Sequence, residues 1–521
     1  MEDRLRDEST RSAVVTTVDG DVQGVVASGV SIFRGLPYGA PTDGANRFLP
    51  PRPPAPWTGV RDARLYGATA AQARTFLADG GFEGNRPTRG EDCLVLNVWT
   101  PSPDAARRPV MVWLHGGGFE AGTGSVLLYD GVNLCRAGDV VVVTINHRLG
   151  VLGHLHLADL VDDPDVAGSG NAGFLDVVAA LRWVRENIEC FGGDPGNVTI
   201  FGQSGGGRKV SLAAAAPAAA GLFHRGIVQS GSQLRLTSRA RAHERAEQLL
   251  AQLDLPPRQW RRLQELPWRD VLRAARSVRG RFGPVVDDVV FDRDPWAPDA
   301  PPTASAVPMM IGTCRTELSL QLGMLDPTTF AIDEADLPAR LAPYVDADDV
   351  DRLTAIVRRS RPDASAPEVF FTIATARTYW RDAQLQTEAK ARQAGGAPVW
   401  SYRVMWRTPV DGGRLVSPHN LDLPFVFANV EHAPHIVGPP SDQTRAMAEV
   451  MSHTWLAFAR TGDPGNETIP EWRPYDLERR SVLHLDVPPV VIDDPFPDER
   501  AVIERYESQQ ARSRRRGSAP A

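Results

Sequence analysis

The chain has 521 residues, 42% hydrophobic and 23% charged, an ordinary balance for a globular protein that buries a large core without staples. Its 64 Asp and Glu outnumber 57 Lys and Arg, and the net charge of -7 argues against a dedicated nucleic-acid binder, which would be basic. No apolar run reaches the ~20 residues of a membrane span. The four cysteines (Cys93, Cys135, Cys190, Cys314) are too few for a disulfide scaffold, so a reduced, cytoplasmic protein is expected.

Residues 1–12 are charged without an apolar stretch, which predicts a disordered N-terminus and no signal peptide. Val14 to Phe33 alternates apolar and polar residues between glycines and reads as a small β meander. Leu36 to Trp57 is rich in Pro and Gly and reads as loop. Leu94 to Trp99 follows as a strand. Pro109 to Leu114, Val140 to Asn146 and Val198 to Phe201 are short, β-branched and barely alternating, like strands of a parallel sheet covered on both faces. Gly173 to Glu189 carries apolar residues at helical spacing between the last two, giving the β-α-β order of an α/β fold. Gly226 to Ser230, Val307 to Gly312 and Pro398 to Met405 read as further strands. Arg239 to Arg279, Pro367 to Ala394 and Met447 to Arg460 read as helical. Residues 509–521, with Arg512 and Arg514 to Arg516, are predicted to be a disordered basic tail. Lysine is nearly absent: Lys209 and Lys390 leave 55 of the 57 basic residues as arginine, a bias of the kind genome composition produces.

Gly202-Gln203-Ser204-Gly205-Gly206 fits G-x-S-x-G, with an apolar strand before it and a small, apolar helical segment after it. That is the setting of a nucleophile elbow, where the serine sits in a sharp turn at the end of a strand and glycines leave room for the neighbouring backbone. Strand Pro109 to Leu114 runs straight into His115-Gly116-Gly117-Gly118-Phe119, a glycine run that turns bare amides toward a substrate oxygen. The N–H groups of Gly117, Gly118 and Gly205 are the expected oxyanion donors. In an α/β hydrolase the acid and then the base follow the serine in the chain. His419, in a loop after a predicted strand, is the expected base, with His432 and His435 as nearby rivals. Glu317, just after strand Val307 to Gly312, is the expected acid, with Asp326 and the Asp287-Asp288 pair as alternatives.

These motifs resemble those of the type-B carboxylesterase family, which also holds the cholinesterases and bacterial para-nitrobenzyl esterases. The resemblance runs from about Val14 to Ile503. It is carried by Phe33-Arg-Gly-Leu-Pro-Tyr-Gly, Glu91-Asp-Cys-Leu-Val-Leu-Asn-Val-Trp, His115-Gly-Gly-Gly-Phe, Asn146-His-Arg-Leu-Gly and Asn171-Ala-Gly-Phe-Leu-Asp. Phe191-Gly-Gly-Asp-Pro-Gly-Asn, Gly221-Leu-Phe-His-Arg, Phe282-Gly-Pro-Val-Val-Asp, His419-Asn-Leu-Asp-Leu-Pro-Phe-Val-Phe and Thr461-Gly-Asp-Pro complete it. The resemblance implies Ser204 as nucleophile, Glu317 as acid and His419 as base, and ion pairs of Arg34 with Glu91 and of Arg148 with Asp176. It implies an α/β-hydrolase fold: a large, mostly parallel central sheet flanked by helices, with helical insertions and a small N-terminal β meander. Ser204, Glu317 and His419 must meet in one site, so residues 13–508 are expected to form a single domain.

Three departures from the family pattern stand out. No cysteine lies upstream where the family's disulfide partner of Cys93 would be. Gln203 replaces the usual Glu, which weakens any case for a cationic substrate, and Gly205 replaces the usual Ala. The expected activity is hydrolysis of small to medium carboxylic esters through an acyl-enzyme, with no metal or organic cofactor, no nucleic acid and no membrane as partner. An amide or carbamate hydrolase with the same triad, or a non-catalytic binding relative, are the alternatives.

Overall fold

The computed structural model describes residues 10–73 and 88–516. They form two compact units, the first running to Gly226 and including Arg235–Thr303, the second made of Ile227–Leu234 and the residues from Ala304 onward.

In the first unit β1 (Thr10–Thr16), β2 (Asp21–Ala27) and β3 (Val30–Pro37) form the expected antiparallel meander. It begins earlier than the sequence implied, so residues 10–12 are strand and not part of a disordered terminus. The reason is local: Arg11 pairs with Val25 across the ladder, and the buried Ser12 hydroxyl accepts the Gly24 N–H. β3 continues into β4 (Val95–Thr100), β6 (Val141–Ile145), β5 (Arg108–Leu114) and β7 (Gly193–Gln203), in that spatial order. β3–β4 and β4–β6 are antiparallel, and β6–β5 and β5–β7 are parallel. Val110 to Leu114 and Val141 to Ile145 are buried throughout, as β-branched strands covered on both faces should be.

Helix α1 (Ala172–Asn187) makes the crossover from β6 to β7 and buries Phe174, Val177, Val178, Leu181 and Val184 along one face. The expected Arg148–Asp176 pair anchors it. Both side chains are buried, Arg148 Nη2 and Nε reach the two carboxylate oxygens at 2.6 and 2.8 Å, and the Arg148 N–H adds a third bond at 2.9 Å. Such a pair is strongly destabilising to break by halves, because the remaining charge is left buried.

The pairing expected for Glu91 is corrected. Its two carboxylate oxygens are held by Nε and Nη2 of Arg47 at 2.6 and 2.7 Å, and Arg47 is itself fixed by the carbonyls of Leu263 and Leu266. Arg34 sits where the β3–β4 register shifts, and its side chain turns to the Arg64 carbonyl and the Tyr66 ring.

In the second unit β8 (Met309–Cys314), β9 (Val399–Val404) and β10 (Ser481–Leu485) are parallel, and β11 (Val490–Asp493) closes the edge antiparallel. Helices at Ala347–Ser360 and Ala366–Thr375 bury Leu353, Val357, Val369, Phe371 and Ile373 in a core of their own. The predicted Met447 to Arg460 helix spans Asp442–Thr461, started by a Ser441 capping box.

The predicted disordered tail is a helix over Gln509–Arg516. Its polar sequence hides the cause. The buried Gln510 side chain donates to the Ser232 carbonyl and to Asp382 and accepts the Leu234 N–H, while Arg512 donates to the Tyr344 carbonyl. Residues 1–9 and 517–521 lie outside the described residues. All four cysteines are free thiols, and Cys190 alone is exposed.

Candidate active site

The first unit builds an elbow. β7 ends at Gln203, α2 (Gly205–Ala215) begins at Gly205, and Ser204 between them has φ 56° and ψ -120°. A non-glycine residue held there stores about 1–3 kcal/mol of backbone strain. The turn is tight enough that a methyl on Gly202 would lie 2.5 Å from the Gly206 carbonyl carbon, and one on Gly206 would lie 1.9 Å from the Leu114 carbonyl oxygen.

The loop after β5 meets this turn. Gly117 and Gly118 take φ of +88° and +67°, which only glycine adopts freely. A methyl on Gly205 would lie 2.4 Å from the Gly118 nitrogen, so the loop and the start of α2 are in backbone contact. All four carbonyls of the loop are engaged. His115 Nδ1–H donates to the Gly116 oxygen at 2.9 Å, and the Ala121 and Glu120 N–H groups reach the Gly117 oxygen at 3.1 and 3.3 Å. Lys209 Nζ takes the His115 and Gly118 oxygens at 2.9 and 3.1 Å. The N–H groups of Gly117, Gly118 and Gly205 have no acceptor among the described residues. Burial, and after it the nearby Lys209 charge, pushes the His115 imidazole down to about 3, so it stays neutral with its proton on Nδ1.

The second unit brings Glu317 and His419 together. Glu317 closes the turn after β8 and His419 lies in the loop after β9. His419 Nδ1 donates to Glu317 Oε2 at 2.5 Å, and Glu317 Oε1 accepts the Cys314 N–H at 2.7 Å. That bond leaves Nε2 as the basic ring nitrogen. The two loops are stitched directly: the Thr316 N–H donates to the Ser417 carbonyl at 3.0 Å, and the Ser417 N–H to the Thr316 hydroxyl at 2.8 Å. The Tyr379 ring packs 5.2 Å from the imidazole. Nearby Asp422 is buried and accepts from Gln229 Nε2 at 2.8 Å. Burial, offset in part by that bond, pushes its carboxyl up to about 6.

The rivals are occupied otherwise. Asp326 caps a short helix and pairs with Arg340, and Asp287 accepts three loop N–H groups and the Asn171 amide. Asp288 pairs with Arg239 at the surface. His432 lies 3.7 Å from Glu431, and His435 stands on the short helix Pro434–Val437. Sequence reasoning passed over Lys209 as part of a small, apolar helical segment. The signal was there in one of the chain's two lysines, set in a helix of small and apolar residues beside Arg208.

Strand, left-handed serine, close-packed helix and glycine loop are the build of an α/β hydrolase. Comparison with known proteins narrows the class. The carboxylesterase family profile matches residues 11–503. The chain is 35% identical over 497 residues to the para-nitrobenzyl esterase of Bacillus subtilis (strain 168), covering 94% of this chain and 97% of that one. It is 31% identical over 493 residues to the phenmedipham hydrolase of Pseudarthrobacter oxydans, covering 90% and 94%. The crystal structure of a Geobacillus stearothermophilus carboxylesterase at pH 6.2 matches with a TM-score of 0.80 at 37% identity, covering 94% and 99%. The chain belongs to the carboxylesterase family and is a serine ester hydrolase with the α/β-hydrolase fold.

Proposed function

We propose that Ser204, His419 and Glu317 form one catalytic triad, served by the N–H groups of Gly117, Gly118 and Gly205, within one hydrolase domain. His419 Nε2 takes the Ser204 proton as the hydroxyl attacks the ester carbonyl, and Glu317 holds the imidazole in the required tautomer and stabilises its cation. The three amides bind the oxyanion, each contributing about 3 kcal/mol in the transition state. The alcohol leaves with the His419 proton, and water repeats the cycle on the acyl-enzyme. The observation that carries this reading is the strained Ser204 turn beside three N–H groups without an acceptor among the described residues.

The substrates are small to medium neutral carboxylic esters. A neutral Gln203 before the nucleophile disfavours cationic alcohols. The free thiols and the bacterial para-nitrobenzyl esterase relative favour a bacterial, cytoplasmic enzyme. Replacing Ser204 with Ala and following p-nitrophenyl acetate is the test. Turnover should fall at least ~10³-fold, and unchanged turnover sinks the assignment. The relative named phenmedipham hydrolase keeps a second reading in play, the same triad acting on amides or carbamates. Matched ester, amide and carbamate substrates separate the two, with the ester expected to be fastest.

A further inference from the structure

Lys209 stands in the second turn of α2, five residues after Ser204, and is 1% exposed. Its ammonium reaches the carbonyl oxygens of His115 and Gly118, the two residues that bracket Gly116 and Gly117, at 2.9 and 3.1 Å. The Phe119 ring lies 5.6 Å away. Among the described residues no carboxylate acts on it. Burial, with Arg208 next to it, pushes the ammonium down to about 7, and His115, His147 and His154 are each lowered in part by its charge. A buried cation without a counter-ion is costly, and two main-chain carbonyls compensate it only partly.

The composition marks the position independently. Of 57 basic residues only two are lysines. The other, Lys390, is also buried and donates to the Ala304 and Ser305 carbonyls at 2.8 and 2.9 Å. Both lysines therefore stand where a compact ammonium fits among buried oxygens, two main-chain ones each and for Lys390 the Gln393 side-chain oxygen at 3.0 Å as well, a space that a planar guanidinium fills poorly.

We propose that Lys209 is the positioning residue of the oxyanion loop, tying His115 and Gly118 to the helix that begins at Ser204 and placing its positive charge beneath the Gly117 and Gly118 donors. The tie works through one short lever. Ser204 and Lys209 share α2, so the ammonium sets the loop's distance from the nucleophile. The peptides that carry the two donors are held from behind by His115 Nδ1–H and by the Ala121 and Glu120 amides. Lys209 holds the flanking pair, and its charge favours an anion forming on the open side.

This inference rests on the proposed roles of Ser204 and the glycine loop. Ser204→Ala tests those roles alone, since it leaves the Lys209 bonds in place. The test of Lys209 uses the full chain, p-nitrophenyl acetate and a trifluoromethyl ketone. Ser204 Oγ adds to the ketone carbonyl carbon, the π pair moves onto its oxygen, and the hydroxyl proton passes to His419, which gives a stable oxyanion in the loop. Lys209→Met should lower kcat by about 10–100-fold with KM within threefold, and weaken the ketone by the same factor. Lys209→Gln, which keeps donors but no charge, should recover part of the loss. Folded variants with kcat and ketone affinity within threefold of the parent overturn the proposal, as does a kcat loss without a loss of ketone affinity. If the variants do not fold, the parent protein with ¹⁵N-labelled lysine decides, because only two Nζ signals exist. The Lys209 signal should shift when the ketone binds and the Lys390 signal should not. No shift overturns the proposal.

Discussion

The groups proposed for catalysis differ in kind between the two units. The first supplies backbone: three N–H groups and a strained serine, drawn from two short stretches around residues 115–119 and 202–206. The second supplies side chains: a carboxylate and an imidazole 102 residues apart in the chain, joined by a 2.5 Å bond. The backbone half is fixed by sterics, because glycines stand where a methyl would meet main-chain atoms. The side-chain half is fixed by hydrogen bonds between loops, chiefly the reciprocal pair of Thr316 and Ser417. Preorganised dipoles tolerate almost no change of residue, whereas a stitched loop pair can lose one bond and persist.

Four changes test that contrast. The largest effect is expected from Glu317→Gln, which removes the charge that fixes the His419 tautomer; kcat on p-nitrophenyl acetate should fall about 10³–10⁴-fold with the fold intact by circular dichroism. Gly117→Ala comes next. Its methyl would lie 2.1 Å from the Ala121 carbonyl oxygen at φ +88°, so the loop must move, and kcat should fall ~100-fold with little change in KM. Tolerance at Gly117 would mean the loop is softer than its packing implies. Thr316→Val strips the hydroxyl that accepts the Ser417 N–H and donates to the Leu415 carbonyl. It should cost about 1–3 kcal/mol in denaturant unfolding and only a few-fold in kcat.

Asp422→Asn should have the smallest effect on kcat and acts on stability. The folded carboxyl titrates near 6 against an ordinary 3.8, so the folded state holds a proton that the unfolded chain has lost between those values. Stability from this group therefore falls as pH rises from about 4 to 6. The Asn variant should gain on the parent by on the order of 3 kcal/mol at pH 7, and the gain should vanish below pH 4. Melting curves of both proteins across that range check the sign.

The strands and the elbow were legible because their causes are local. β-branched runs at Pro109 to Leu114 and Val140 to Asn146 state double-sided burial, and Gly202 to Gly206 states its turn within five residues. The proposed acid and base rest on chain order and resemblance, since no short-range pattern joins Glu317 to His419. What the sequence hid was set at long range. Glu91 took Arg47 in place of Arg34 because the guanidinium of Arg47 is pinned by carbonyls more than 200 residues on. The polar C-terminal stretch became helical because Gln510 reaches Ser232 and Leu234. Lys209 read as one residue of a small helix, and its partners lie more than 90 residues upstream.

The scarcity and burial of lysine have a practical side. Both side-chain amines are 1% exposed, so amine-directed reagents such as succinimidyl esters find no lysine at the surface. Thiol chemistry is nearly as restricted. Cys93, Cys135 and Cys314 are buried, and burial raises each of their thiols well above the usual range. Cys190, exposed at the end of the crossover helix, is left as a single handle. A maleimide probe or a solid support should attach there once per chain.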